Sequence, residues 1–136
     1  MNKGVMIIDG EQPAGVCCNI AAVLGASLGK LLPEAVGADT VDRDGNIHRG
    51  IIEIPIPILK GELELLRNII SALSCPEYRD IVYVDFTELA QSCRTYPEYE
   101  EKIARTPEAE LRYLGLALYG EKRLVSSITG NLPLLR

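Results

Sequence analysis

The stretch from Val5 to Leu31 constrains this chain more than any other. Val5, Met6, Ile7 and Ile8 form an unbroken apolar run between Gly4 and Asp9-Gly10, as expected of a strand buried on both faces at the centre of a sheet. After Pro13 to Gly15, the residues Val16, Ile20, Val23, Leu24, Leu28 and Leu31 recur at helical spacing until Pro33 stops the pattern. A central strand followed at once by such a helix predicts a sheet with a helix laid across it. A second stripe on the helix, Ala22, Gly25, Ala26 and Gly29, suits close approach to a sheet or to another helix.

The remaining segments extend this pattern. "TVDRDGNIHRG" alternates around Asp44-Gly45, a pair suited to the positive φ of a tight turn, and predicts a small exposed hairpin. In "IIEIPIPILKG", Pro55 and Pro57 lie two apart, so in an extended strand their missing N–H groups fall on one side. The segment therefore predicts an edge strand whose free side resists pairing. Leu63, Leu66, Ile69, Ile70 and Leu73 share one face of a helix over Glu62 to Leu73.

"DIVYVDFT" predicts another buried strand, and Leu114 to Tyr119 a fourth. Thr106-Pro107 has the form of a helix cap followed by proline, giving a short helix from Pro107 to Tyr113. A last helix over Glu121 to Ile128 is expected to end on Gly130 as a left-handed cap, with Leu116, Leu118, Leu124, Ile128 and Leu132 buried. Strands alternating with helices predict a three-layer α/β/α sandwich with a mixed, mostly parallel four-stranded sheet, one domain over residues 1–136.

Composition narrows the function classes. Hydrophobic residues make up 47% and charged residues 24%, near the globular average, and no apolar run of the sequence approaches the roughly 18 to 20 residues of a membrane span. The N-terminus breaks its apolar run at Asp9 and has no small-residue cleavage site, so a cytoplasmic protein without a membrane partner is expected. A net charge of −5 is the wrong sign for holding many phosphates, and no nucleic-acid partner is expected. Cys17, Cys18, Cys75 and Cys93 have neither zinc-site spacing nor disulfide density and are read as free thiols.

The ending "LALYGEKRLVSSITGNLPLLR" resembles the tail of type II peptidyl-tRNA hydrolases, which close on an apolar strand, a glycine turn, a short helix and a Thr-Gly-x-Leu segment, here Thr129 to Leu132. "KGVMIID", "IPILKGELELL" and "VYVDFT" extend the resemblance in the right order over most of the chain. The segments "GVCCNIAAVLGASLG", "DGNIHRGI", "IPIPIL" and "LALYGEKRLVSSITG" resemble more closely a small bacterial family of domains of unknown function (number two thousand), which shares that hydrolase fold. The resemblance implies a peptidyl-tRNA hydrolase type II-like fold and, with the small-residue stripe, a homodimer. It matches Asp85 to the acidic residue at the end of the third strand, with Thr87 nearby and Lys3 on the first strand. The hydrolases' lysine-rich first loop and helix, with a glutamine and a histidine facing the tRNA end, are replaced here by Val16, Cys17, Cys18, Ile20 and Val23.

Asp85 follows Ile81 to Val84, so its carboxylate is expected near a strand end, where α/β folds collect ligands; capping of the following turn is the alternative role. Thr87 would be its hydrogen-bonding neighbour. Cys17 and Cys18 lie in the first turn of the first helix, where the dipole can lower a thiol pKa, although one of two adjacent helix residues usually packs inward. Asn19, in the same turns, could orient a ligand. His48 stands alone on the hairpin, which argues against a metal site, and no cofactor motif occurs. The charged stretch Glu98 to Arg112 is read as a solvated face.

Two functions are therefore expected. The first is a domain that binds a small molecule or protein partner in a cleft near the ends of the central strands, with Asn19, Cys17 and Cys18 as candidate ligand contacts. The alternative is a small hydrolase or transferase-like enzyme, inefficient on peptidyl-tRNA, that uses Asp85 as base or orienter, Lys3 as charge stabiliser and Thr87 beside them.

Overall fold

The computed structural model describes residues 1–136. Strand β1 (Asn2–Asp9) is the apolar run, extended at both ends. Helix α1 (Ala14–Leu31) follows, and Pro33 opens a single 3-10 turn that ends it. A two-stranded arm, β2 (Thr40–Val41) and β3 (Ile47–His48), precedes β4 (Ile58–Gly61) and α2 (Leu63–Leu73). Strand β5 (Val82–Thr87), two short helices α3 (Glu88–Ser92) and α4 (Tyr96–Ala104), β6 (Tyr113–Glu121) and α5 (Lys122–Thr129) complete the chain.

The main sheet has the order β4-β1-β6-β5. β1 pairs parallel with β4, while β6 is antiparallel to both β1 and β5. Three of the four strands thus run in one direction, as the alternation suggests, but only one of the three pairings is parallel. β1 is central, as its continuous apolar run requires. Alternation along β1 and β6 divides the core by sheet face. Val5, Ile7, Leu116 and Leu118 pack with Leu66, Ile69, Leu73 and Val125 from α2 and α5. Met6, Ile8 and Ala117 pack with Cys17, Ile20, Leu24 and Leu28 of α1 on the other face. Helices cover both faces of the sheet, giving three layers.

Several expectations change on contact with the structure. By length and composition α1 could cross a membrane, but its stripe of Cys17, Ile20, Leu24 and Leu28 is buried against the sheet, as in a core helix. Val23 and Leu31, counted in the same stripe, stay 42% and 51% exposed because they lie off the face the sheet occupies. Ala22 and Ala26 face solvent too, so the small-residue stripe does not seat the helix on the sheet. The close approach is made from the other side. A Cβ on Gly115 of β6 would lie 2.5 Å from Ile20 Cγ2 and 3.2 Å from Leu24 Cδ1.

β4 is an edge strand, but it begins at Ile58, after both prolines, so Pro55 and Pro57 do not guard its free side. The C-terminal tail does. Lys60 N–H donates to the Pro133 carbonyl at 2.8 Å, and Leu135 N–H donates to the Ile58 carbonyl at 2.9 Å, so the tail covers that edge. β5 forms the opposite edge rather than a strand buried throughout, and Tyr83 and Asp85 are exposed on it.

The expected helix at Pro107 to Tyr113 is only a 3-10 turn at Glu108–Glu110, because β6 already begins at Tyr113. α5 buries Val125 and Thr129, with Leu124, Ile128 and Leu132 half-buried beside them. Gly130 ends α5 in the right-handed region, at φ −62°, so no left-handed cap forms. Gly45 alone takes positive φ, 87°, in the hairpin turn where its lack of a Cβ was expected to matter.

Candidate functional site

A pocket of about 420 Å³ opens between one flank of α1, the β5 edge and the α3–α4 segment. That size falls within the roughly 300 to 1,000 Å³ of small-ligand sites. Asn19, Val23 and Ser27 form the α1 wall; Val84, Asp85 and Phe86 come from β5; Ala90, Cys93, Arg94, Thr95, Tyr96 and Tyr99 close the third side.

The third wall is fixed by local chemistry. Thr95 caps α4: its hydroxyl accepts the Glu98 N–H at 3.3 Å, while the Glu98 carboxylate reaches back to accept the Arg94 N–H at 3.1 Å. Lys102 Nζ donates to Ser92 Oγ at 3.1 Å and ties α4 to the end of α3. These contacts set Tyr96 and Tyr99, one turn apart, with ring centroids 5.5 Å apart and planes at 50°.

Asp85 enters this pocket without any ion pair. Its residue surface is largely open to solvent, yet burial of its surroundings pushes the carboxyl pKa up, with no hydrogen bond to offset the desolvation. The Tyr99 phenol is also pushed up, first by burial and then by the charge of Asp85, which places the two groups within electrostatic reach. The Arg94 guanidinium is likewise in no ion pair; only its backbone N–H is engaged, by Glu98.

The structure brings Asp85 and Asn19 together and separates the other sequence candidates. Lys3 donates to Ser126 Oγ at 3.3 Å and lines a second pocket of about 600 Å³ with Ile54 to Pro57 and Lys122. Thr87 does not bond Asp85; its hydroxyl is buried without a partner beside a bulge between Phe86 and Thr87. Cys17 is buried, its thiol 3.7 Å from the Asp9 carbonyl and 3.5 Å from the Gln12 carbonyl. Burial, and then the charge of Asp9, raises its pKa, opposite to the lowering expected at a helix N-terminus. Cys18 is exposed and outside the pocket.

Sequence reasoning missed Cys93, Arg94, Thr95, Tyr96 and Tyr99. The available signal was the capping pattern Thr95-x-x-Glu98 with proline inside it, which marks a helix start at the edge of the stretch Glu98 to Arg112 read as a solvated face.

These features define a three-layer mixed α/β domain with a lateral pocket at one sheet edge. The chain matches the model of the family described as "Protein of unknown function (DUF2000)" over residues 2–136, and it belongs to that family. A solved structure of a protein of unknown function from Agrobacterium tumefaciens strain C58 is similar, with a TM-score of 0.87. The match covers 98% of this chain and 96% of that one at 20% identity, a level that carries the fold alone. No curated protein matches the chain.

Proposed function

We propose that this protein is a binding domain whose small-molecule ligand occupies the pocket between α1, β5 and α4. The observation that carries this reading is Asp85: a partly desolvated carboxylate without a partner, opening into a pocket that also holds Asn19 and a tyrosine pair. An ionised group held this way costs folding free energy, and a bound ligand that pairs with it returns that cost. The test is a fragment screen by two-dimensional NMR on the wild type and on Val23→Trp, which places a large side chain at the pocket from a half-exposed position. Ligands should shift Asn19, Asp85 and Tyr99 in the wild type and lose that effect in the variant. Shifts confined to other surfaces would sink the reading.

A second reading is favoured by the raised carboxyl of Asp85, which suits a general base. In it the protein is a small hydrolase or transferase. Lys3 takes no part at this pocket, since it lines the other one. Asp85→Asn separates the readings: under the second it abolishes a turnover that the wild type shows, while under the first it weakens the ligand and the wild type turns nothing over. We also read the fold as type II peptidyl-tRNA hydrolase-like, supported by the β4-β1-β6-β5 order with helices on both faces. Net charge −5 and the apolar first turns of α1 argue against peptidyl-tRNA as substrate.

A further inference from the structure

We infer that the ligand of this pocket is a small zwitterion carrying an apolar or aromatic group, an α-amino acid or the equivalent end-to-end charge pair of a short peptide. The inference rests on the pocket being a binding site and names the chemistry it would select. Two opposite charges line the same pocket, Asp85 and the guanidinium-bearing Arg94, and they form no ion pair with each other or with any other side chain. What sets Arg94 apart from the other unpaired arginines, Arg43, Arg79, Arg112 and Arg136, is that it lines the same pocket as an unpaired carboxylate. The carboxylate of Glu98, close in sequence, is committed to the Arg94 backbone N–H instead.

A ligand with a single charge would satisfy one of the two groups and face the other as a like charge. A zwitterion satisfies both, its ammonium on Asp85 and its carboxylate on Arg94. The rest of the lining chooses the body between those charges. Phe86, Val84 and Val23 supply apolar surface, and the tilted Tyr96–Tyr99 pair presents ring surface to an aromatic or aliphatic group. Asn19 adds an amide able to donate or accept. The desolvation cost on Asp85 is offset once an ammonium pairs with its open side.

The test uses calorimetry or NMR titration of the full chain with four probes: phenylalanine, N-acetylphenylalanine, phenylalanine amide and neutral N-acetylphenylalanine amide. Phenylalanine should bind at least tenfold more tightly than either singly blocked probe, and the neutral probe should be weakest. Asp85→Asn should erase the preference for phenylalanine over its N-acetyl form yet keep the preference over the amide. Arg94→Gln should do the reverse. Both variants should melt within a few degrees of the wild type, since neither group has a partner to lose. Equal binding of all four probes at the pocket would overturn the zwitterion and leave the binding domain standing. Failure of every probe to shift pocket resonances overturns it as well. If the fragment screen above is also silent at Asn19 and Tyr99, the binding domain falls with it.

Discussion

Asp42 organises the hairpin arm through one carboxylate. Its Oδ1 accepts the N–H groups of Asp44 at 2.9 Å and Asn46 at 3.0 Å, and its Oδ2 accepts the Asn46 amide at 3.0 Å and His48 Nε2 at 2.9 Å. The His48 bond, then those from Asn46, lower its pKa from 3.8 to about 2. A carboxyl depressed on folding stabilises fully above its unfolded value and stops doing so as pH falls through the folded one. The arm should therefore lose order between about pH 4 and pH 2 while the main sheet keeps its amide protection, and in Asp42→Asn this acid transition should vanish. NMR exchange across that range checks it; an arm unchanged at pH 2 would remove the claim. Asp85 has the opposite sign. Its raised carboxyl is penalised when ionised, so Asp85→Asn should raise the melting temperature at neutral pH, with the gain shrinking as pH falls through the raised folded value and gone below about pH 4, near the ordinary aspartate value. A variant less stable than wild type at pH 7 would show that Asp85 has a favourable partner after all.

α4 shows how an element can be illegible to hydrophobic periodicity and still be specified. None of its residues is fully buried, so no apolar stripe announces it. Its start is set by the Thr95 cap and the return bond from Glu98. Thr95→Ala should cost about 0.5 to 2 kcal/mol of local stability, read as faster exchange over Tyr96 to Ala104, and should weaken pocket ligands by displacing the tyrosines. Unchanged exchange would mean that Lys102 and the α3 contact hold the helix without the cap. The same kind of signal misled at Thr106-Pro107, where Pro107 at ψ 143° is extended and only one 3-10 turn follows. The β6 pairing that begins at Tyr113 leaves no chain for a longer helix.

At the scale of the molecule, the tail belongs to both layers of its surroundings. Val125 and Thr129 are buried under the sheet, and Pro133 to Leu135 seal the β4 edge. Deleting Leu124 to Arg136 removes one fully buried large aliphatic side chain, Val125, and four half-buried ones, Leu124, Ile128, Leu132 and Leu135, and it opens a strand edge. A buried aliphatic side chain contributes about 1.5 to 3 kcal/mol, against a total stability of about 5 to 15 kcal/mol. The truncation should be unfolded or insoluble. A shorter deletion, Pro133 to Arg136, should stay folded but associate through the bared β4 edge. Circular dichroism with sedimentation distinguishes these outcomes, and a long truncation that melted near the full-length temperature would make the tail an appendage.

The central strand, the first helix, the hairpin turn at Gly45 and the amphipathic α2 were legible in the sequence because each is determined by neighbours a few residues away. An apolar run, a period of 3.6 and a positive φ are local facts. Asp85 and Asn19 were also legible as candidates, one from its place near a strand end and the other from its place in the first turns of α1. That they share a pocket with Tyr96 and Tyr99, while Lys3 goes to another and Thr87 turns away, was not. Those outcomes depend on strand order, on a bulge at Phe86–Thr87 and on how α4 is tied back to α3. The same holds for the tail on β4, since which edge stays open depends on pairings between residues some 75 positions apart. Such long-range choices come from the packing of the whole chain, and no segment carries them alone.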